Sequence, residues 1–157
     1  MTLISGDVVF LVSGVEEMEL LKTEKRQIFE SYGIVAVYLF GSRAMGRVQT
    51  HSDFDLAVLF GNYHPDKHNL ALRLALAEEL SQRLEEQVDL IFLQGAPVFM
   101  RYEIITTGRV IFCMDDEFRT DFEDIVYRDY LDFKPFIDQF YKEEAEAIRD
   151  GYFFAEH

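Results

Sequence analysis

The segment from Phe40 to Asp55, Phe-Gly-Ser-Arg-Ala-Met-Gly-Arg-Val-Gln-Thr-His-Ser-Asp-Phe-Asp, gathers residue types that handle phosphate. Gly41 and Ser42 close an apolar run. Glycine lets backbone amides come close to an anion, and a serine hydroxyl can bond a phosphate oxygen. One helical turn over residues 42–46 would aim its free amides at the same anion. Arg43 and Arg47, four apart, could lean over it. Ten residues separate Ser42 from Asp53, and Asp55 follows two further on. Side chains at i and i+2 of a strand share a face, so both carboxylates would converge while Phe54 turns into the core. Adjacent carboxylates repel unless a cation lies between them, and hard oxygen donors beside phosphate favour magnesium, with manganese second.

A third acid, Asp89, stands in the otherwise apolar run Val88-Asp89-Leu90-Ile91-Phe92-Leu93. A lone carboxylate in a buried strand is costly unless paired or metal-bound. If that strand neighbours the one carrying Asp53 and Asp55, the three acids could hold two metals ~3.5–4 Å apart for in-line displacement at phosphorus. The competing reading is a tight turn with solvated aspartates. Gly-Ser followed after ten residues by Asp-x-Asp has a chance frequency on the order of 0.2% in a chain this long, so chance explains it poorly. For Asp89 the plainer alternative is a strand-edge acid, and for Arg43 and Arg47 a solvated surface charge.

The elements that must position these residues follow from periodicity. Residues 1–14 read as an N-terminal arm, with a short strand possible around Val8 to Val12. Apolar positions at three- and four-residue spacings predict a helix over 15–32, stopped by Gly33. Ile34–Phe40 and Phe54–Phe60 are short, apolar and bounded by turn residues, as buried strands are. Leu72, Leu76, Leu80 and Leu84 form an i+4 stripe in a predicted helix over 67–86. Further strands are predicted over 88–93 and 110–114, with a helix between Pro97 and Gly108. The remainder reads as helix with a bend near Pro135. The fold class is therefore mixed α/β (α+β): a small mixed sheet flanked by helices, over residues 15–114, with a C-terminal helical extension over 115–157.

Composition narrows the function. The chain has 157 residues and a formal net charge of −14, which disfavours nucleic-acid polymers but not a nucleotide in a local cleft. Residues 115–157 carry 14 acids against 5 bases, and 11 of the 23 Phe and Tyr residues. Such a segment suits docking on a basic partner protein, or is simply the solvated acidic face of an amphipathic helix. The longest apolar run has seven residues, too short for a membrane span, and the N-terminus lacks the basic start of a secretory signal. One cysteine, Cys113, cannot form an internal disulfide and reads as a buried spacer. A cytoplasmic location is the expectation. His51, His64, His68 and His157 suggest no zinc site, and neither a serine-hydrolase elbow nor a P-loop is present.

The run GSRAMGRVQTHSDFDLAVLF followed by VDLIFL resembles the DNA polymerase β-like nucleotidyltransferases in their minimal (MNT) branch, over about residues 20–114. The resemblance implies that Gly41 and Ser42 hold the triphosphate and that Asp53 and Asp55 bind both metals. Asp89 would bind metal and help deprotonate the nucleophile. The implied reaction transfers a nucleoside monophosphate to a hydroxyl and releases pyrophosphate. Arg128-Asp129-Tyr130-Leu131-Asp132-Phe133-Lys134-Pro135 resembles the C-terminal element of MNT antitoxins, which pair with HEPN RNase toxins and use ATP to adenylylate a toxin tyrosine.

Three functions follow as expectations. The first is a magnesium-dependent adenylyltransferase acting on a cognate toxin, with ATP as substrate, two Mg2+ ions and a hetero-oligomeric complex. The second keeps the chemistry but modifies a small molecule such as an aminoglycoside. It is disfavoured because only about 43 residues, those from 115 on, remain to cradle a substrate. The third is a non-catalytic antitoxin that acts by binding alone through its acidic tail.

Overall fold

A computed structural model describes residues 2–5, 8–11, 23–44 and 54–151. Thr2–Ser5 (β1) and Val8–Leu11 (β2) pair as an antiparallel hairpin. Thr23–Ser31 (α1) leads into Ile34–Phe40 (β3), and the short helix Gly41–Ala44 (α2) follows at once. Phe54–Phe60 (β4), Leu70–Leu84 (α3), Val88–Phe92 (β5), Val98–Thr107 (α4), Arg109–Cys113 (β6) and Asp116–Arg149 (α5) complete the order.

Four strands form one mixed sheet in the order β5-β4-β3-β6. β5 runs parallel to β4, whereas β3 is antiparallel to both β4 and β6. Both faces are covered, so the strands read as nearly continuous apolar runs. One face sets Leu39, Leu56, Val58 and Leu90 against Ile28 and Phe29 of α1 and Leu76 and Leu80 of α3. The other sets Ala36, Tyr38, Ala57 and Leu59 against Ile104 of α4 and Phe118 and Phe122 of α5. Each large apolar side chain so buried contributes roughly 1.5–3 kcal/mol of transfer free energy.

The helices start and stop for local reasons. Asn69 Oδ1 accepts the Leu72 N–H at 3.0 Å to begin α3. Asp115 Oδ1 accepts the Phe118 N–H at 3.0 Å to begin α5, and Asp116 and Glu117 in its first turn suit the helix dipole. Pro97 and Gly108 bracket α4 as expected. β3 and β4 occupy the predicted residues. β5 ends at Phe92 because Leu93–Gly95 tightens into a 3-10 turn, and β6 begins at Arg109 because that residue pairs with Leu39. The predicted first helix is seen as Thr23–Ser31, and residues 15–22 of that expectation lie outside the described residues. α5 continues through Pro135, where proline withholds the N–H that Leu131 would otherwise receive. Leu131 and its neighbours through Phe136 are exposed, so water can satisfy the freed carbonyl. Among the described residues no helix is long and apolar enough to cross a membrane.

Candidate active site

The corner after β3 depends on Gly41. Its φ of 72° lies in the left-handed region, where a Cβ is disfavoured. A methyl group built there would also overlap Oδ2 of Asp55 and lie 3.0 Å from its carboxyl carbon. Gly41 is thus favoured twice, for the backbone turn and for the carboxylate held against it.

Strand register sets the acids. Phe40 pairs with Asp55 across β3 and β4, and Asp55 pairs with Asp89 across β4 and β5. Residues paired in register on neighbouring strands point to the same face and stand about 4.8 Å apart along the sheet. That face is the one carrying Tyr38, Ala57 and Ile91, and Phe54 is buried on the opposite one. Asp55 is half-buried and Asp89 is exposed, so the pair sits where the sheet opens to solvent. The Phe54 N–H donates to the Gln87 carbonyl at 2.9 Å, which pins the two strands together one residue before Asp55 and two before Asp89.

Of the sequence-predicted residues, Gly41, Asp55 and Asp89 come together. Ser42 and Arg43 lie in α2, directly after the corner. Asp53 and Arg47 lie outside the described residues. Among the described residues no group of three His, Cys, Asp or Glu side chains could hold a metal ion. Asp55 and Asp89 supply two hard oxygen donors side by side, which is a donor set suited to magnesium.

Sequence reasoning missed two supports. Gly108 was legible as a helix stop, but its closeness to the corner was not. A methyl group there would lie 2.6 Å from the Ile104 carbonyl oxygen and 3.0 Å from that of Leu39, so α4 ends wedged against the last residues of β3. Tyr38, two residues before Phe40 on the same face, donates its hydroxyl proton to Glu123 Oε1 at 2.6 Å. Arg119 Nη1 donates to the same oxygen at 2.8 Å. Burial and the Glu123 hydrogen bond push the Tyr38 phenol well above its ordinary pKa of 10.0. Tyrosine in an apolar strand and acids in a distant helix carry no sequence signal for this contact. Cys113 is buried, and burial raises its thiol pKa, which disfavours the thiolate. His68 stacks in an aromatic group with Phe60, Tyr63 and Phe92, and its Nδ1 accepts the His64 N–H at 2.9 Å, a structural role.

α4 and α5 enclose an open groove of about 700 Å3 lined in part by Tyr102, Tyr130, Phe133, Phe136 and Phe140. Tyr102 and Tyr130 stack with ring centroids 3.7 Å apart. Phe136 is 69% exposed and Phe140 62%, an apolar display that free water does not favour.

The polymerase beta nucleotidyltransferase family model matches residues 24–117. The chain is similar to the protein adenylyltransferase MntA of Shewanella oneidensis, with 35% identity over 83 residues. That match covers 52% of this chain and 57% of the relative, so the chain spans a little over half the relative's length. Two solved structures share the fold. One is a crystal structure of a toxin–antitoxin with AMP-PNP (TM-score 0.58, 22% identity, covering 87% of this chain and 98% of that one). The other is a tri-AMPylated HEPN toxin of Shewanella oneidensis in complex with its MNT antitoxin (TM-score 0.58, 20% identity, 88% and 99%).

Proposed function

The chain belongs to the polymerase beta nucleotidyltransferase family, and from that premise we propose that it is an MNT antitoxin that adenylylates a HEPN RNase toxin. The observation that carries this reading is the in-register pairing of Asp55 with Asp89, next to a corner whose left-handed backbone and close carboxylate both favour glycine. The likeness to MntA supports the choice of AMP transfer to a protein.

Gly41 and Ser42 would seat the triphosphate, with Arg43 and Arg47 over its outer phosphates. Asp53, Asp55 and Asp89 would hold magnesium, which supplies charge that offsets the phosphates and lowers the pKa of the acceptor hydroxyl. The chain's own part is positioning and proton transfer. A toxin tyrosine brings its phenol oxygen to the α-phosphorus and its proton passes to Asp89. The bond from the α-phosphorus to the bridging oxygen breaks, and pyrophosphate leaves on the Gly41–Ser42 side. A phenol, with pKa ~10, is easier to deprotonate here than an aliphatic alcohol.

The acidic, aromatic half of α5 would dock the partner. Residues Asp116–Arg149 hold 11 acids and 5 bases, and the exposed rings supply contact area to a basic, apolar surface. The test uses labelled ATP and the HEPN partner. The wild-type chain is expected to label the partner on tyrosine, and Asp53→Asn and Asp55→Asn to label it hardly at all. Equal labelling by all three chains would refute the assignment.

A further inference from the structure

The sheet order β5-β4-β3 places the Gly41 corner, Asp55 and Asp89 in a row across three neighbouring strands. In an in-line displacement the attacking and leaving oxygens lie on opposite sides of the phosphorus. With pyrophosphate on the Gly41 side, the acceptor hydroxyl must arrive from the Asp89 side. There β5 is the last strand of the sheet among the described residues.

That edge is built as a groove. Between α3 and β5 lies a cleft of about 480 Å3 lined in part by Arg73, Glu78, Ser81, Gln87 and Asp89. A second cleft of about 430 Å3 is also lined by Arg73 and Ile91, and between them the two clefts that make up this edge channel touch every residue of β5. The Gln87 carbonyl turns inward to the Phe54 N–H. Alternation along the strand therefore turns the Val88 and Leu90 backbone groups outward. Ser81 Oγ accepts the Val88 N–H at 3.1 Å, whereas Leu90 lies on the open edge, where no further strand stands among the described residues. An open edge of this kind accepts an added strand. Glu78 is exposed and bonded to Gln82 at 3.1 Å. Arg73 is half-buried in the channel wall, and its guanidinium forms no ion pair with a described carboxylate.

From these observations, and resting on the adenylyltransferase reading, we infer that the free edge of β5 binds the acceptor segment of the partner protein as an added strand. The modified hydroxyl lies at Asp89, and Arg73 pairs with an acidic side chain about two residues away. The spacing follows from Arg73 lining the channel at Ile91, two residues and roughly 7 Å beyond Asp89 along the strand. Arg73 is thus a specificity-determining residue for the acceptor, on the far side of the α-phosphorus from the leaving pyrophosphate.

The experiment measures AMP transfer to the HEPN partner at varied partner concentration, with ATP affinity measured separately. Arg73→Glu is expected to raise the KM for the partner at least about tenfold and to leave ATP affinity within about twofold, with Arg73→Lys restoring most of the loss. A photo-crosslinker at exposed Leu74, also in the channel wall, is expected to capture the partner peptide that contains the modified residue. Asp89→Asn runs in parallel. If Asp89→Asn abolishes transfer while Arg73→Glu shows a wild-type KM, or the crosslink maps to a different peptide, the edge-binding inference is overturned and the catalytic reading stands. If Asp89→Asn transfers normally, the catalytic reading fails and the inference with it.

Discussion

Replacing Gly41 by alanine separates backbone strain from loss of the carboxylate's place. Gly33 and Gly41 both have φ of 72°, but a methyl group on Gly33 meets nothing within 4 Å. Forcing alanine into the left-handed region costs roughly 1–2 kcal/mol at either position. For a chain of this size that is about 2–8 °C in Tm. At Gly41 the methyl carbon would also stand 3.0 Å from the Asp55 carboxyl carbon. Carbon atoms settle at about 3.5–4.0 Å, so the carboxylate must retreat by at least ~0.5–1 Å. A displacement of that size in a reacting group can reduce rate by about 10²-fold. Thermal melts and labelled-ATP transfer to the partner should therefore show two variants with similar Tm losses and very different rates. Gly33→Ala keeps near wild-type transfer, and Gly41→Ala falls by about two orders of magnitude. Equal rates for the two variants would refute the argument that Gly41 exists to seat Asp55.

Other outcomes follow from the same structure. Tyr38→Phe removes a hydrogen bond to a carboxylate and should cost about 1.5–3 kcal/mol in urea denaturation at pH 7. Because the folded-state pKa of Tyr38 is raised, its contribution is full below pH 10 and declines as the unfolded-state phenol ionises above it. The stability gap between wild type and Tyr38→Phe should therefore narrow between pH 10 and 11. Leu80→Ala, at a side chain with no exposure, should lower stability by about 2–5 kcal/mol in the same assay. A chain ending at residue 131 keeps Glu123 and Val126, the one buried residue of α5, and should melt cooperatively while losing partner binding in calorimetry.

Much of the site was legible because its cues are local. Ile34–Phe40 and Phe54–Phe60 declared themselves by β-branched and aromatic runs between turn residues, and the i, i+2 rule turned Phe54 inward as it is observed to lie. Asp89 stood out as an acid in an apolar strand, yet only the tertiary pairing of β5 with β4 sets it beside Asp55. The last turn of α4 against Leu39 and the reach of Tyr38 to Glu123, 85 residues away, are tertiary contacts that no local pattern announces. The edge channel was equally hidden. Arg73 reads as one more polar position on the Leu72–Leu76–Leu80 helix until β5 is found as the outermost of the described strands on that side.

The most direct test of the central claim follows the two ends of the triphosphate separately. The proposed HEPN partner is incubated with magnesium, this chain and ATP labelled either on the α-phosphate or on the γ-phosphate, and the label on the partner is counted. Attack at the α-phosphorus between Gly41 and Asp89 predicts that α-label is incorporated, γ-label is released as pyrophosphate, and Asp89→Asn removes the α-signal. Incorporation of γ-label, or undiminished α-labelling by Asp89→Asn, would contradict the account.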